Sequence, residues 1–382
     1  MPELNLHIIS FTIPYPPNYG GAIDVFYKVR ALHATGVKVH LHCFAYDRTP
    51  SMELEKYCHK VYYYPRQTGL RSALTWIPYI VFSRRSGQLL ETLLKDDHPI
   101  LFEGLHSCYY LSHPRLKERV KIYRESNIEH QYYYHLSKAE TNLTKKLYFF
   151  LSSLKLRAFQ GILSHASMML TVSKEDNEYL SRKFPDIPVE YLPSFHKDDD
   201  VSILPGKGDY ALYQGNLSVA ENVQAAEYLM KEVFAGTDTP FIIAGLNPSP
   251  ELVNTSTRYP NVTLNPNPTD EVMNDLIRSA QINIMVTFQP TGLKLKLLNA
   301  LFNGRFCLVN PDMVAGTELG GLCETGTTAS ELKYQVDQLM HRSFDENAIQ
   351  TRREQLLKWH SNNKNCKRLL DLLSLLVVRQ NS

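Results

Sequence analysis

The sequence contains little cysteine, and none of it is paired at metal-ligand spacing. Six cysteines are scattered over 382 residues, and no two form a C-x-x-C motif. This arrangement excludes a zinc knuckle and a thioredoxin-type redox motif. Because a low, dispersed cysteine content is typical of proteins from reducing compartments, we predict a cytoplasmic location.

Long apolar runs are also missing. No uninterrupted apolar stretch approaches the roughly 18 residues of a membrane-spanning helix, so we predict none. The N-terminus has no basic segment followed by an apolar core of about 7–15 residues, and we therefore predict no signal peptide.

Neither sign of charge is in excess. The 41 Lys and Arg residues nearly balance the 39 Asp and Glu residues, giving a formal net charge of +2. This balance gives no global reason to expect nucleic acid as a partner. A hydrophobic content of 43% and a charged content of 21% are typical of globular proteins. The chain is long enough for two to three domains.

Short apolar runs alternate with helical patterns in both halves of the chain. The runs predict strands at residues 4–10, 37–45, 59–64, 100–103, 120–124, 168–172, 210–213, 241–244, 282–287 and 306–309. The patterns predict helices at residues 22–35, 221–233, 270–280, 294–302, 329–340 and from about 348 to the end. Such alternation predicts βαβ units and parallel sheets, hence an α/β protein.

A proline-rich segment, residues 185–208, interrupts this alternation, and the pattern restarts after it. We interpret it as containing a domain linker, although one long surface loop is the alternative. The predicted organisation is a Rossmann-like domain (1–195), a linker (196–208), a second Rossmann-like domain (209–360) and a C-terminal helix (361–382). Ligands of such sheets bind outside the carboxyl ends of the strands.

Two segments have the composition of anion-binding sites. Gly20 and Gly21 join the first predicted strand to a helix whose N-terminus offers unpaired N–H groups, although an ordinary glycine turn is the alternative. Lys294 and Lys296 lie at the start of another predicted helix, where positive charge opposes the helix dipole. A pyrophosphate would explain this placement, whereas solvated surface lysines are the alternative.

These motifs, in their order along the chain, resemble the GT-B fold of retaining glycosyltransferases, in particular the family 4-like group. The resemblance covers nearly the whole chain and rests on four segments: Gly20-Gly21 with residues 36–39, residues 171–176, residues 213–218 with Glu221-Asn222, and residues 291–304. The last segment is the most specific, since it resembles the donor-binding motif in which a basic-x-basic pair precedes Leu-Glu-Ala-Met-Ala-x-Gly.

The resemblance implies two Rossmann-like domains that face each other across a cleft, with C-terminal helices closing the chain. It implies transfer of a hexose, with mannose as one candidate, from a GDP- or UDP-linked sugar to a saccharide or lipid-linked saccharide. Retention of configuration and a role in bacterial surface polysaccharide synthesis are implied as well. The nucleotide sugar would be a co-substrate, and neither a metal nor another cofactor is expected.

The resemblance also assigns donor-binding positions, which are Gly20, Gly21, Gly215, Asn216, Thr291, Gly292, Lys294, Lys296 and Asn299. The lysine pair would bind the diphosphate. Thr291 and Asn299 stand where the family motif has two glutamates, which contact the donor sugar and the ribose. Asparagine can still hydrogen-bond a ribose hydroxyl, but without charge assistance.

In the first domain, Ser126, Asn127 and Glu129 align with a family His-Asn-x-Glu motif whose histidine lies near the reacting sugar. We predict Ser126 and His106, together with the lysine pair, as the catalytic group. Glu103, His106, Asn127 and Glu129 are the predicted acceptor-binding residues. A structural role is the alternative for His106, which follows a predicted strand.

In this family the leaving phosphate is thought to take the acceptor proton during same-face attack, so no enzyme nucleophile is required. Stabilisation of the leaving diphosphate would then supply most of the catalysis. The missing glutamates and histidine leave two alternatives. One is a catalytically silent GT-B protein that binds nucleotide or scaffolds a glycosylation complex. The other is a sugar-nucleotide epimerase, which would release a free epimer without an acceptor.

Two segments resemble the surface of a membrane-associated protein. In residues 66–87 and 145–157, apolar residues are framed by arginine or lysine, as in interfacial segments. We predict peripheral contact with the inner membrane face, and packing of both segments on the first domain's core is the alternative.

His40 and His42, two residues apart on a predicted strand, lack further metal ligands, so we assign them packing or surface roles.

Overall fold

The computed structural model describes residues 4–69, 75–140, 142–288 and 295–380. These residues form two compact units. The first unit combines residues 4–197 with residues 362–380, and the second comprises the described residues between 198 and 361.

The first unit is built on a parallel sheet that contains seven strands among the described residues. They are β1 (Asn5–Ser10), β2 (Lys38–Ala45), β3 (Lys60–Pro65), β4 (Ile100–Glu103), β5 (Lys121–Arg124), β6 (Met168–Thr171) and β7 (Val189–Tyr191). Their spatial order is β3-β2-β1-β4-β5-β6-β7. All residues of β4, β5 and β6 are buried, as expected for parallel strands that are covered on both faces.

The helices of this unit connect the strands. They are α1 (Gly20–Ala34), α2 (Met52–Glu55), α3 (Tyr79–Phe82), α4 (Gly87–Leu93), α5 (Glu129–Ala139), α6 (Leu143–Phe159) and α7 (Lys174–Lys183). Helix α1 buries Val25, Val29 and Leu32 at helical spacing. It ends in a Schellman-type turn at Gly36, whose φ of 83° is accessible to glycine at little cost.

The second unit contains a second parallel sheet, with strand order β10-β9-β8-β11-β12-β13. Its strands are β8 (Ala211–Asn216), β9 (Phe241–Leu246), β10 (Val262–Pro266), β11 (Ile282–Met285), β12 (Phe306–Val309) and β13 (Glu324–Thr325). Its helices are α8 (Ala220–Tyr228, extended by a π-helical turn at Leu229–Val233), α9 (Pro250–Ser256), α10 (Asp270–Ser279), α11 (Leu295–Asn303), α12 (Pro311–Val314), α13 (Ala329–His341) and α14 (Glu346–Trp359).

The last helix, α15 (Asn362–Gln380), returns to the first unit. Its buried face repeats every three to four residues, through Cys366, Leu369, Leu373 and Leu376. These side chains share one core cluster with Val29 of α1. The C-terminal helix therefore completes the first unit's core.

Both sheets reverse their strand order beside the first strand of the unit. In the first sheet β1 lies between β2 and β4, and in the second sheet β8 lies between β9 and β11. At such a switch point the connections leave in opposite directions, and a crevice opens outside the carboxyl ends of the two strands. The ends of β1 and β4, and of β8 and β11, are therefore where ligands are expected.

Three edge or near-edge strands were not predicted from the sequence. Strand β7 (Val189–Tyr191) lies inside the segment interpreted as a break, and residues 198–208 belong to the second unit. Strands β10 and β13 were also missed. All three are short and incompletely buried, so they lack the continuous apolar run that marks a central strand.

None of the helices formed by the described residues has both the length and the apolar character required to cross a bilayer. In the predicted interfacial segment 66–87, Ile80 and Val81 are buried in the first unit's core, which corrects that prediction for α3. Trp76 is 94% exposed. Arg71 and Leu74 of the same segment lie outside the described residues.

Candidate functional site

In the second unit, two glycines allow close packing at the ends of β8 and β9. A Cβ atom on Gly245 would lie 1.8 Å from the carbonyl oxygen of Gly215. A Cβ atom on Gly215 would lie 3.1 Å from Cγ of Asn222. Gly215, a predicted donor-binding residue, therefore allows Asn222 to pack closely on the strand end.

Asn222 in turn positions a lysine at this strand end. Nζ of Lys296, in the first turn of α11, donates a hydrogen bond to Oδ1 of Asn222 at 3.1 Å and lies 5.5 Å from the Tyr213 ring centroid. The Tyr213 hydroxyl donates to the Asn222 carbonyl oxygen at 3.1 Å. A half-buried ammonium group is thus fixed beside the carboxyl end of β8.

Asn216, predicted to bind the donor, shapes the turn that follows β8. Its side-chain oxygen accepts from the backbone N–H of Ser218 at 3.1 Å and from the Ser218 hydroxyl at 2.7 Å. Its backbone oxygen accepts from Nδ2 of Asn222 at 3.0 Å. These bonds fix the path of the chain from β8 into α8.

A carboxylate lies at the neighbouring strand end. The Thr287 hydroxyl, just beyond β11, donates to Oε1 of Glu221 at the start of α8. Asn310 fixes Thr287 through two bonds: its Oδ1 accepts from the Thr287 N–H at 3.0 Å, and its Nδ2 donates to the Thr287 carbonyl at 2.7 Å. Among the residues that the structure describes, the ammonium of Lys296 and the carboxylate of Glu221 therefore lie at the switch point of this sheet.

The predicted ribose ligand Asn299 is engaged within α11. Both its backbone oxygen and its Oδ1 accept from Nδ2 of Asn303 at 2.9 Å. The amide nitrogen of Asn299 is the group it could offer to a hydroxyl. Three other predicted donor-binding residues lie outside the described residues: Thr291, Gly292 and Lys294.

In the first unit, the loop after β1 is held by Arg48. Its guanidinium donates to the carbonyl oxygen of Pro16 at 2.7 Å and lies 4.7 Å from the ring centroid of Tyr19. Gly20 then begins α1, and a Cβ atom on Gly21 would lie 2.5 Å from Cζ of Phe11. The first turn of α1 contains no acidic residue, so no side chain of that turn opposes an anion there.

A cluster of polar groups surrounds the end of β4. Gly104 adopts φ of 70°, and a Cβ atom there would lie 3.4 Å from Nδ1 of His106, 3.7 Å from Phe11 and 3.8 Å from Oγ of Ser126. The two residues predicted as catalytic in this unit, Ser126 and His106, are therefore brought together over Gly104. Nδ1 of His106 also lies 3.6 Å from Oε1 of Glu129.

Burial controls the protonation of this cluster. It raises the pKa of Glu129 to about 8, and the neighbouring Arg84 only partly offsets this effect. Burial, with Arg84 as the next cause, holds the pKa of His106 well below its usual value. Arg84 is itself fixed by donation from its Nε to the Phe11 carbonyl oxygen at 2.6 Å. At neutral pH the cluster thus presents a neutral acid beside a neutral imidazole.

Asn127 is half-buried beside these groups. Its backbone N–H donates to Oε1 of Glu125 at 3.0 Å, and the Tyr123 hydroxyl donates to Oε2 at 2.7 Å. Burial raises the pKa of Glu125 well above its usual value. This carboxyl group shapes the turn from β5 to α5.

Glu103, a predicted acceptor-binding residue, lies in a buried ion network. Its side chain is 3% exposed, and Oε1 accepts from Nζ of Lys28 at 2.7 Å. Lys28 also donates to Asp24 at 2.9 Å, and Arg124 binds the second oxygen of Asp24 at 3.3 Å. Although burial opposes ionisation, Arg124 and Lys28 lower the pKa of Asp24. Glu103 thus belongs to this buried ion network, and its role in acceptor binding stays a prediction.

The strand histidines form a hydrogen-bonded chain. His7 Nδ1 lies 2.8 Å from Nε2 of His42, whose Nδ1 lies 2.9 Å from the Tyr64 hydroxyl. At the other end, Nε2 of His7 lies 3.0 Å from Asp96. In the part of the chain that the structure describes, no group of His, Cys, Asp and Glu residues could hold a metal ion.

No family model matches this chain. A curated protein of Klebsiella pneumoniae, "Uncharacterized 44.6 kDa protein in cps region", is 28% identical over 345 residues, which is 85% of each chain. Sucrose-phosphate synthase from Thermosynechococcus elongatus matches with a TM-score of 0.70 at 13% identity, over 99% of this chain and 100% of its own. HepE from Anabaena, solved with UDP and glucose, matches with a TM-score of 0.64 at 11% identity, over 97% and 100%. This chain has the GT-B fold.

The fold prediction is confirmed: GT-B proteins contain two Rossmann-like domains, and both parallel sheets are present here. The sequence did not indicate which neighbouring side chains contact and position the predicted site residues. Asn222 and Tyr213 around Lys296, and Arg84 and Phe11 around His106, were missed. Asn222 lies in the first turn of α8, seven residues after the glycine of β8, and this position is the signal that could have revealed it.

Proposed function

We propose that this GT-B protein is a glycosyltransferase that transfers a sugar from a nucleoside diphosphate to a saccharide or lipid-linked saccharide. Synthesis of a bacterial surface polysaccharide is the proposed setting. The observation that carries the proposal is the Lys296 ammonium, which Asn222 fixes at the switch point of the second sheet. The same fold in a protein solved with UDP and glucose, and a relative in a cps region, support it.

The second unit is the proposed donor-binding unit. Lys296, with Lys294, would bind the diphosphate, since lysine acts as a point charge for phosphate. Glu221 is a half-buried carboxylate at the same end of the sheet and would accept a hydrogen bond from a ribose or sugar hydroxyl. It would supply the negative charge that Thr291 and Asn299 do not provide.

The proposed reaction breaks the bond between the anomeric carbon and the diphosphate oxygen and forms a bond to an acceptor hydroxyl oxygen. The acceptor proton passes to the leaving phosphate, so that the nucleoside diphosphate departs. Charge that develops on the diphosphate would be stabilised by the fixed ammonium of Lys296. Retention of configuration, a hexose donor and GDP or UDP as the nucleotide are part of this proposal.

The first unit is the proposed acceptor-binding unit. Its polar cluster over Gly104 combines the Ser126 hydroxyl, the imidazole of His106 and the protonated carboxyl group of Glu129. Neutral donors and acceptors of this kind suit the hydroxyl groups of a sugar, which carry no charge. Asn127, half-buried nearby, would extend this surface.

The experiment is a turnover assay with UDP- and GDP-sugars, with and without a pool of saccharide acceptors. We expect release of nucleoside diphosphate that depends on the acceptor. Lys296→Ala should lower the rate about 100- to 1,000-fold, the typical effect of removing one preorganised group that stabilises charge in the transition state. Lys333→Ala, an exposed lysine on α13, is the matched control and should leave the rate unchanged.

Two outcomes would contradict the proposal. Nucleotide binding without consumption of any donor would favour a catalytically silent GT-B protein. Release of a free epimeric sugar without an acceptor would favour an epimerase.

A further inference from the structure

Helix α6 presents an apolar stripe to solvent in the first unit. The exposed residues of this stripe are Leu143, Leu147, Phe150, Leu151 and Leu154. Their spacing places them on one face of the helix. Between 42% and 80% of each side chain is accessible, so the stripe does not belong to the core. The opposite side of α6 packs inward through Leu156.

Positive charge borders the stripe. Helical geometry places Lys146 and Arg157 along one edge and Lys155 along the other. The sequence of α6 contains no Asp or Glu. Arg157 also lines an open surface cavity of about 600 Å³ together with Arg182 and Lys183 of α7.

An exposed tryptophan lies next to this helix. Nζ of Lys155 donates a hydrogen bond to the Thr75 carbonyl oxygen at 3.0 Å, which ties the backbone beside Trp76 to α6. Trp76 is 94% exposed. Tryptophan and tyrosine are the residues that prefer the boundary between lipid and water.

We propose that the stripe of α6, together with Trp76, docks on a membrane surface that contains anionic lipids. The apolar side chains would enter the boundary between head groups and acyl chains, while Lys146 and Arg157 reach the lipid phosphates. A second copy of this chain is a poorer occupant, because it would bring an identical cationic border against this one. The proposal does not rest on the proposed function, since binding to vesicles requires no turnover.

The test is flotation of the full-length protein with vesicles of phosphatidylcholine alone or mixed with phosphatidylglycerol. We expect binding to the mixed vesicles, weakening as salt is added. The pair Leu147→Glu/Leu151→Glu should weaken binding at least about tenfold, because it places charge on the surface that enters the lipid. The pair Leu375→Glu/Val378→Glu, exposed on α15, is the matched control and should bind like the original protein.

Fluorescence provides a second measurement. The chain has two tryptophans, so Trp359→Phe leaves Trp76 as the reporter. Its emission should shift to the blue with phosphatidylglycerol vesicles and not with phosphatidylcholine vesicles.

Failure to bind vesicles, or equal binding by both double variants, would overturn the proposal. A dimer in sedimentation that Leu147→Glu/Leu151→Glu dissociates, without vesicle binding, would identify a second copy as the occupant instead. Thermal unfolding establishes that each variant is folded.

Discussion

The Nδ1 atom of His106 lies 3.6 Å from Oε1 of Glu129, a distance too long for a hydrogen bond. Burial raises the pKa of Glu129 to about 8 and lowers the pKa of His106. The pair is therefore uncharged at neutral pH, although its two residue types form an ion pair in many other proteins. This protonation state leads to a measurable dependence of stability on pH.

Glu129→Gln should change how stability depends on pH. The carboxyl pKa is higher in the folded chain than its ordinary value of 4.5, so ionisation favours unfolding as pH rises from 4.5 to about 8. Relative to the glutamine variant, the original protein should lose about 1.4 kcal/mol per pH unit within this window. Denaturant unfolding of both proteins at pH 5, 6 and 7.5 measures the difference. A constant difference would show that Glu129 ionises freely.

The buried ion network predicts a large effect of removing Lys28. Lys28→Met should destabilise the first unit by about 3–5 kcal/mol, because the Glu103 carboxyl group would remain buried without its partner and Asp24 would keep Arg124 but lose Lys28. Lys28→Met/Glu103→Gln should recover part of this loss. Urea unfolding of the three proteins provides the test. Equal stability of the single and double variants would mean that Glu103 does not depend on Lys28.

This network also explains why the site was only partly predictable from the sequence. Gly104, His106 and Ser126 follow predicted strands, and the carboxyl ends of parallel strands lie at one edge of a sheet. Glu103 has the same sequence signal but lies one residue earlier, within the strand itself. Its partner Lys28 is 75 residues away, so only the fold reveals the contact.

The histidine chain predicts acid sensitivity. Burial lowers the pKa of His7 to about 4, despite the opposing charge of Asp96. The stability that depends on neutral His7 is therefore complete above pH 6.5 and is lost as pH falls towards 4, at about 1.4 kcal/mol per pH unit. Urea unfolding at pH 7.5, 6 and 5 should show this loss in the stability difference between the original protein and His7→Gln, because that difference removes the opposing contribution of Glu129. The exposed His341→Gln is the control and should keep the original slope.

Gly245→Ala should disrupt the second unit. Its Cβ atom would lie 1.8 Å from the carbonyl oxygen of Gly215, so β8 and β9 would have to separate. We expect the variant to lose about 3 kcal/mol of stability, the upper end of the usual cost of an overpacked core. Gly87→Ala is the matched control, since nothing lies within 4 Å of the added carbon. Thermal unfolding compares the two, and a similar midpoint for both would contradict the close approach of these strands.

The central strands of both sheets were more predictable from the sequence than the edge strands. Central strands such as β12 (Phe306–Val309) are continuous apolar runs, and their bounds follow directly from the sequence. Strand β7 has no such run, because an edge strand is covered on fewer sides. The sequence also could not predict that α15 packs on the first unit. Its apolar face is visible in the sequence, but this pattern does not specify which of the two cores the helix completes.

The central claim is a diphosphate site built around Lys296, and nucleotide binding tests it most directly. Thermal shifts with UDP, GDP and other nucleoside diphosphates should be measured on the original protein, Lys296→Ala and Lys333→Ala. One diphosphate, at about 100 times its dissociation constant, should add roughly 2.7 kcal/mol of stability. The account predicts that Lys296→Ala loses this shift while Lys333→Ala keeps it. Absence of any shift at millimolar nucleotide, or an unchanged shift in Lys296→Ala, would contradict it.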